Sequence, residues 1–203
     1  MKWGRFSVAE GLVRVAAWVR LGTEGRLADL VASERARRRL LVADDPRWDD
    51  SHLGAAGRAA VKVARVAWLA ELRERGELLD TAAAVLAVGV RAELAARGWD
   101  REWPDAPETA ISGRWPGSRS TGWPERIGAN LPVGLVEQVR AACWHSSPID
   151  ELREFRDAFP GLLTGVRLRE YDELTAQITT PGEIWRAGFG RVLWPDQDGA
   201  EQH

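Results

Sequence analysis

The stretch Glu125-Arg-Ile-Gly-Ala-Asn-Leu-Pro132 changes period at its last residue. Before that point Ile127, Ala129 and Leu131 alternate with Arg126, Gly128 and Asn130, the two-residue period of a strand with one buried face. Pro132 has no amide hydrogen to give a ladder and ends the pattern. In the following Val133-Gly-Leu-Val-Glu-Gln-Val-Arg-Ala-Ala-Cys-Trp144, the residues Leu135, Val136, Val139, Ala142 and Cys143 share one stripe of a helix. His145-Ser146-Ser147-Pro148 then forms a short loop, in which Ser147 suits an N-cap and Pro148 the first helical position. A second helix carries Ile149, Leu152, Phe155 and Phe159 as far as Pro160-Gly161.

Upstream the chain reads as helices. Ser7 with Glu10 is a capping-box pattern, and Val8, Leu12, Val15 and Val19 follow at helical spacing up to Gly22. A second helix is expected from about Arg26 to Val42, with Leu27, Leu30 and Val31 inward and Arg35, Arg37, Arg38 and Arg39 near the negative end of its dipole. Another runs from about Leu53 to Arg75 through Val61, Ala64, Trp68 and Leu72. After Gly76 the residues Leu78, Leu79, Ala82, Val85, Leu86, Val90 and Leu94 form a wide apolar stripe up to Gly98. Two long helices joined by a tight turn predict antiparallel packing in an N-terminal bundle over residues 1–98.

Residues 99–124 lose all period. Pro104, Pro107, Pro116 and Pro124 interrupt them, and the pairs Trp103-Pro104, Trp115-Pro116 and Trp123-Pro124 join large rings to a restricted backbone. An arm lying against helices is the expectation. Downstream of the strand–helix–helix unit at 125–161, further helices are expected over 162–195. One surrounds Val166, Leu168, Tyr171 and Leu174; the other opens with Thr180-Pro181-Gly182-Glu183 and includes Ile184, Trp185 and Phe189. A polar tail follows at 196–203. The fold class is therefore mainly α: a bundle, a Pro/Trp-rich arm, and a strand–helix–helix unit with further short helices.

The 203 residues are 45% apolar and 29% charged, enough chain to bury a core without covalent staples. The single cysteine, Cys143, excludes an internal disulfide and any zinc site built on several thiolates. No apolar run approaches the ~20 residues of a membrane span, and charged residues break up any leader-like segment near the N-terminus, so a cytoplasmic protein without membrane contact is expected. The net charge of −2 conceals a division. Residues 1–43 hold nine basic side chains against four acidic ones, and 110–146 four against two; the segments between and after them are acidic.

Strand, Leu-Pro, helix, serine-containing loop and helix over Glu125–Gly161 resemble the ribbon-helix-helix family of DNA-binding proteins. The resemblance implies a homodimer whose paired strands form a ribbon in the major groove. It implies that Arg126, Gly128 and Asn130 face the bases, and that Ser146 and Ser147 hold a phosphate at the second helix start. Arg114 and Arg119, just upstream, would add phosphate contacts. Dimerisation would provide the partner strand that Arg126–Leu131 otherwise lacks. Without the resemblance, the same residues read as an edge strand and helical hairpin packed on the bundle.

Other chemistry is sparse. There is no phosphate-binding loop, zinc-protease motif or nucleophile elbow. Cys143 and His145 stand about 200° apart around a helix, so the thiol reads as structural. Asp44, Asp45, Asp49, Asp50 and His52 are the densest group of possible metal ligands, but their spacing suits caps and solvation better than a calcium loop. The expected function is non-enzymatic DNA binding by a dimeric regulator or accessory factor, with no cofactor and no metal. The alternative is a helical adaptor that docks another protein through Trp103, Trp115 and Trp123; a metal-dependent enzyme built on the aspartates is a third.

Overall fold

The computed structural model describes residues 11–107 and 122–195; Ser7, Val8, Glu10, Arg114, Trp115, Arg119 and the tail from Asp196 lie outside them. The described residues are mainly helical, with seven α-helices and a two-stranded sheet. In chain order they are β1 (Leu12–Val19), α1 (Thr23–Ala43), a 3-10 turn (Pro46–Trp48), α2 (Ala55–Glu74), α3 (Ala82–Ala96), β2 (Glu125–Pro132), α4 (Val133–His145), α5 (Ile149–Ala158), α6 (Gly165–Ala176) and α7 (Pro181–Leu193).

The described part of the helix expected before Gly22 is a strand. Val15 and Val19 satisfy a four-residue and a two-residue spacing alike, so the helical pattern was ambiguous at those two positions. The strand buries Val15, Ala17 and Val19 together and leaves Leu12 67% exposed. Val13, Val15 and Val19 are β-branched and fit a pleated surface well. Gly22, with φ of +85°, makes the turn from β1 into α1, a backbone conformation open to glycine at little cost.

β1 pairs antiparallel with β2, with Val13 opposite Leu131, Ala16 opposite Gly128 and Trp18 opposite Arg126. The strand expected at Glu125–Pro132 therefore forms, but its partner lies in the same chain. This corrects the expectation that a second copy must complete the ribbon. The pairing is clamped at both ends. Val133 donates its amide to the Gly11 carbonyl at 3.0 Å. At the other end the Glu125 carboxylate accepts the Gly22 and Glu24 amides at 2.7 and 2.8 Å, capping α1, which has no side-chain cap of its own.

The buried face of the ribbon rests on α3, α4 and α7. α3 and α7 cross so closely that a Cβ on Gly89 would stand 1.8 Å from the Gly188 carbonyl oxygen. α3 thus turns its wide apolar stripe to β2 and α7 far more than to α2. In the bundle's place, α2 stacks Trp68 on Trp48 of the 3-10 turn, ring centroids 5.1 Å apart, and buries only Leu72. The boundaries expected at residues 98 and 125 do not divide the core: one apolar cluster runs from Val15 through Val90 and Leu135 to Leu193.

The arginines of α1 serve the α2–α3 loop. Asp80 is fully buried and accepts from Arg73 Nε at 2.6 Å and from Arg38 at 2.7 Å, while its carbonyl accepts from Arg35. Arg37 donates to the Glu77 carbonyl. These contacts, more than the helix dipole, account for Arg35, Arg37 and Arg38. In the C-terminal part, α4 buries all five expected apolar positions. α7 has both bonds of its capping box at Thr180 and Glu183. α5 and α6 form a hairpin over a small separate cluster of Ile149, Leu152 and Ile178.

Candidate nucleic-acid interface

Because side chains alternate along a strand, burying Val15, Ala17, Val19, Ile127, Ala129 and Leu131 turns their neighbours outward. The outer face of the ribbon carries Arg14, Ala16 and Trp18 from β1, and Arg126, Gly128 and Asn130 from β2. Arg14, Arg126, Gly128 and Asn130 are exposed, and Trp18 is 44% exposed. All three positions expected on β2 to face a ligand do point outward. Arg14 and Trp18 join this face because β1 is a strand and not the helix its spacing predicts; their signal in the sequence is the Val13-Val15-Ala17-Val19 alternation.

Across the strands Arg14 stands opposite Asn130, Ala16 opposite Gly128 and Trp18 opposite Arg126. The missing side chain at Gly128 is occupied space: a Cβ there would lie 3.3 Å from the Arg14 guanidinium, which crosses the ribbon over it. Among the described residues, neither Arg14 nor Arg126 has a hydrogen bond or ion pair, and no acidic side chain of β1 or β2 shares their face. At one end of the ribbon Arg186 donates to the Trp18 carbonyl at 2.9 Å and lies over the Trp123 ring, 4.3 Å from its centroid. Burial draws its guanidinium below the ordinary arginine value.

The expected phosphate anchor is not assembled. The Ser146 hydroxyl donates back to the Ala142 carbonyl, and the Ser147 hydroxyl accepts the Thr179 amide at 3.1 Å. α5 begins after Pro148 with no side-chain cap. Pro148 has left the first helical position for the cap position, which removes Ser147 from the capping role. Arg114 and Arg119 lie outside the described residues.

The described tryptophans of the arm are used internally, and Trp115 lies outside the described residues. Trp103 donates from Nε1 to the Trp99 carbonyl at 3.1 Å, stacks on His145 at 6.2 Å and is covered by Arg101 at 4.0 Å. His145 Nε2 contacts the Pro104 carbonyl. Cys143 is completely buried, and burial pushes its thiol well above the ordinary range, so it stays protonated. Asp45 caps the 3-10 turn and pairs with Arg47, and Asp49 accepts the Ser51 amide. Behind the ribbon a cleft of about 350 Å³ is lined by Arg20, Glu93, Trp123, Arg186 and Trp194 among others. The buried Glu93 carboxylate is taken there by Arg97 and, at 2.6 Å, by Arg191. Burial raises its affinity for a proton, and the two guanidiniums more than reverse that.

No protein-family model, curated protein or solved structure matches the chain.

Proposed function

We propose that the protein is a non-enzymatic DNA-binding protein that reads duplex DNA with the outer face of the β1–β2 ribbon. The ribbon-helix-helix resemblance suggests this use of β2, and β1 provides the second strand without a second copy of the chain. The observation that carries the reading is the exposed face itself, on which Arg14 and Arg126 stand without a protein partner or an acidic neighbour among the described residues. A two-stranded ribbon fits the major groove, where arginine donates bidentately to guanine and asparagine pairs with adenine.

Charge placement supports it. The two strands come from the two basic segments of the chain, and the acidic helix α5, with Asp150, Glu151, Glu154 and Asp157, belongs to the separate hairpin. Docking of another protein on the tryptophan arm draws less support, because Trp103 and Trp123 are already covered by Arg101 and Arg186. A role in regulation or in the upkeep of a mobile element would follow from sequence-selective binding.

The test is duplex retention in a mobility-shift assay over a salt series. The reading expects salt-sensitive retention. It also expects Arg126→Ala combined with Asn130→Ala to weaken selective binding about tenfold or more beyond its effect on bulk binding. Absence of retention at low salt overturns it.

A further inference from the structure

Two parts of the chain repeat one another in three dimensions without a visible sequence repeat. Aligning Arg14 with Arg126 places Val15, Ala17 and Val19 on Ile127, Ala129 and Leu131, all buried. Continuing without a gap, the buried Thr23, Leu27 and Val31 of α1 fall on the buried Leu135, Val139 and Cys143 of α4. After insertions of different length (α2 in one part, α5 and α6 in the other), Thr81 aligns with Thr180. Each threonine caps its helix by accepting the amide three residues on, from Ala84 and Glu183. From those caps Val85, Gly89, Val90 and Leu94 of α3 meet Ile184, Gly188, Phe189 and Leu193 of α7, again all buried.

The contacts between the two parts join equivalent residues. Ala16, aligned with Gly128, is also its cross-strand partner. Gly89, aligned with Gly188, is also what it touches at the helix crossing. Self-matching contacts of this kind are the property of an interface built about a two-fold axis, in which one residue meets its own equivalent on the axis and all others exchange partners. Arg14 and Arg126 then occupy equivalent places, four residues apart in register and so about 13 Å apart along the ribbon. Trp18 and Asn130 are equivalent too, and they differ in chemistry.

Resting on the reading proposed above, we infer that one chain acts as a fused two-fold pair and that its target is a non-palindromic duplex. The two half-sites share the base pair met by arginine, a guanine contact on each side. They differ at the neighbouring position, where Asn130 on one side selects adenine and Trp18 on the other offers an apolar ring. A homodimer must present the same side chains to both half-sites; this chain presents Arg14 with Asn130 on one side of the axis and Arg126 with Trp18 on the other.

The experiment is selection of bound duplexes from a random library by the full chain, followed by stoichiometry on the selected sequence. The expected result is one chain per duplex and a motif with guanines related by symmetry and an adenine on one side only. Arg14→Ala and Arg126→Ala should each erase one guanine preference by about tenfold. Trp18→Asn sets an asparagine beside an arginine at both ends of the ribbon and should turn the selected motif into a palindrome with adenine on both sides. All three positions are exposed, and unchanged circular dichroism will verify the fold of each variant. A palindromic motif for the unaltered chain, or two chains per duplex, overturns the inference and leaves DNA binding standing. Failure to enrich any sequence, with no duplex retained, overturns both.

Discussion

The α3–α7 crossing and the α5–α6 hairpin are both helix pairs, and they hold together in opposite ways. At the crossing two glycines remove the side chains, the backbones meet, and flanking residues such as Val90, Phe189 and Ile184 are at most 1% exposed. In the hairpin large side chains reach across a gap: Phe155 stacks near Phe159 and Tyr171 at 5.0 and 6.2 Å, while Val166 and Leu168 remain 59% and 43% exposed. α5 is the more conspicuous helix in the sequence, because its apolar and charged faces are cleanly separated. Amphipathic contrast marks a helix with one wet side, whereas the joint that organises the fold is marked by two small residues.

The sharpest way to break this contrast is to put a methyl group into the joint. Gly89→Ala places a carbon where only 1.8 Å separates it from the Gly188 carbonyl oxygen, and that backbone oxygen cannot turn aside like the end of a flexible side chain. The helices must move apart, and we expect a loss of roughly 3 kcal/mol in urea unfolding, at the upper end of overpacking costs. The melting temperature should fall by roughly 6–12 °C. If Gly89→Ala unfolds like the parent, the close approach does not organise the core.

Leu152→Ala applies the opposite kind of change to the hairpin, deleting volume from the Ile149–Leu152–Ile178 cluster. A loss of about 2 kcal/mol is expected, at the low end for buried leucine because the cavity opens near the surface. Hydrogen exchange should show it locally: α5 and α6 amides lose protection while those of β1 and β2 keep theirs. Equal loss in the ribbon would mean that the two regions share one core.

Glu93 extends the comparison to charge, since it reaches from α3 to Arg191 on α7. Glu93→Gln leaves Arg97 and Arg191 facing a neutral group, but both are about one-third exposed and can recover water. A cost of about 1–2 kcal/mol is therefore expected. The carboxyls of Glu93 and Asp80 both lie below their ordinary values in the folded chain because their arginines outweigh burial. The unfolded chain thus binds protons first as pH falls. Their stabilisation is complete above the ordinary values of 4.5 and 3.8 and is lost progressively below them, until the lowered native values are passed. Acid titration of unfolding should show this fall, with a shallower slope in Glu93→Gln.

Much of the C-terminal half was legible in the sequence. Ile127, Ala129 and Leu131 announced β2, the stripe from Leu135 to Cys143 announced α4, and the Thr180–Glu183 pattern announced the start of α7. Each is a local signal, completed within a few residues of itself. What escaped were features defined by a distant partner. Val15 and Val19 fit two periods, and only pairing with β2 decides between them. Gly188 means nothing until Gly89 stands against it. Ser147 matches a cap by position, but its hydroxyl is taken by the Thr179 amide, 32 residues away. The outward position of Arg126 followed from alternation, while the place of Arg14 beside it required the register.

The smallest expected effect has the opposite sign and tests whether position, not glycine content, makes the joint. Gly190 lies in α7 only two residues beyond Gly188, yet a Cβ built there meets nothing within 4 Å. Within a helix glycine costs roughly 0.5–1 kcal/mol relative to alanine, through the backbone freedom it loses on folding. Gly190→Ala should therefore raise stability by up to that amount, measured by urea unfolding beside Gly89→Ala. The same chemical change on two packed helices would then give opposite signs, set by whether a carbonyl oxygen or open space faces the added carbon. A loss at both sites would point to a general intolerance of α3 and α7 to added bulk, and the close contact would no longer single out the Gly89–Gly188 pair.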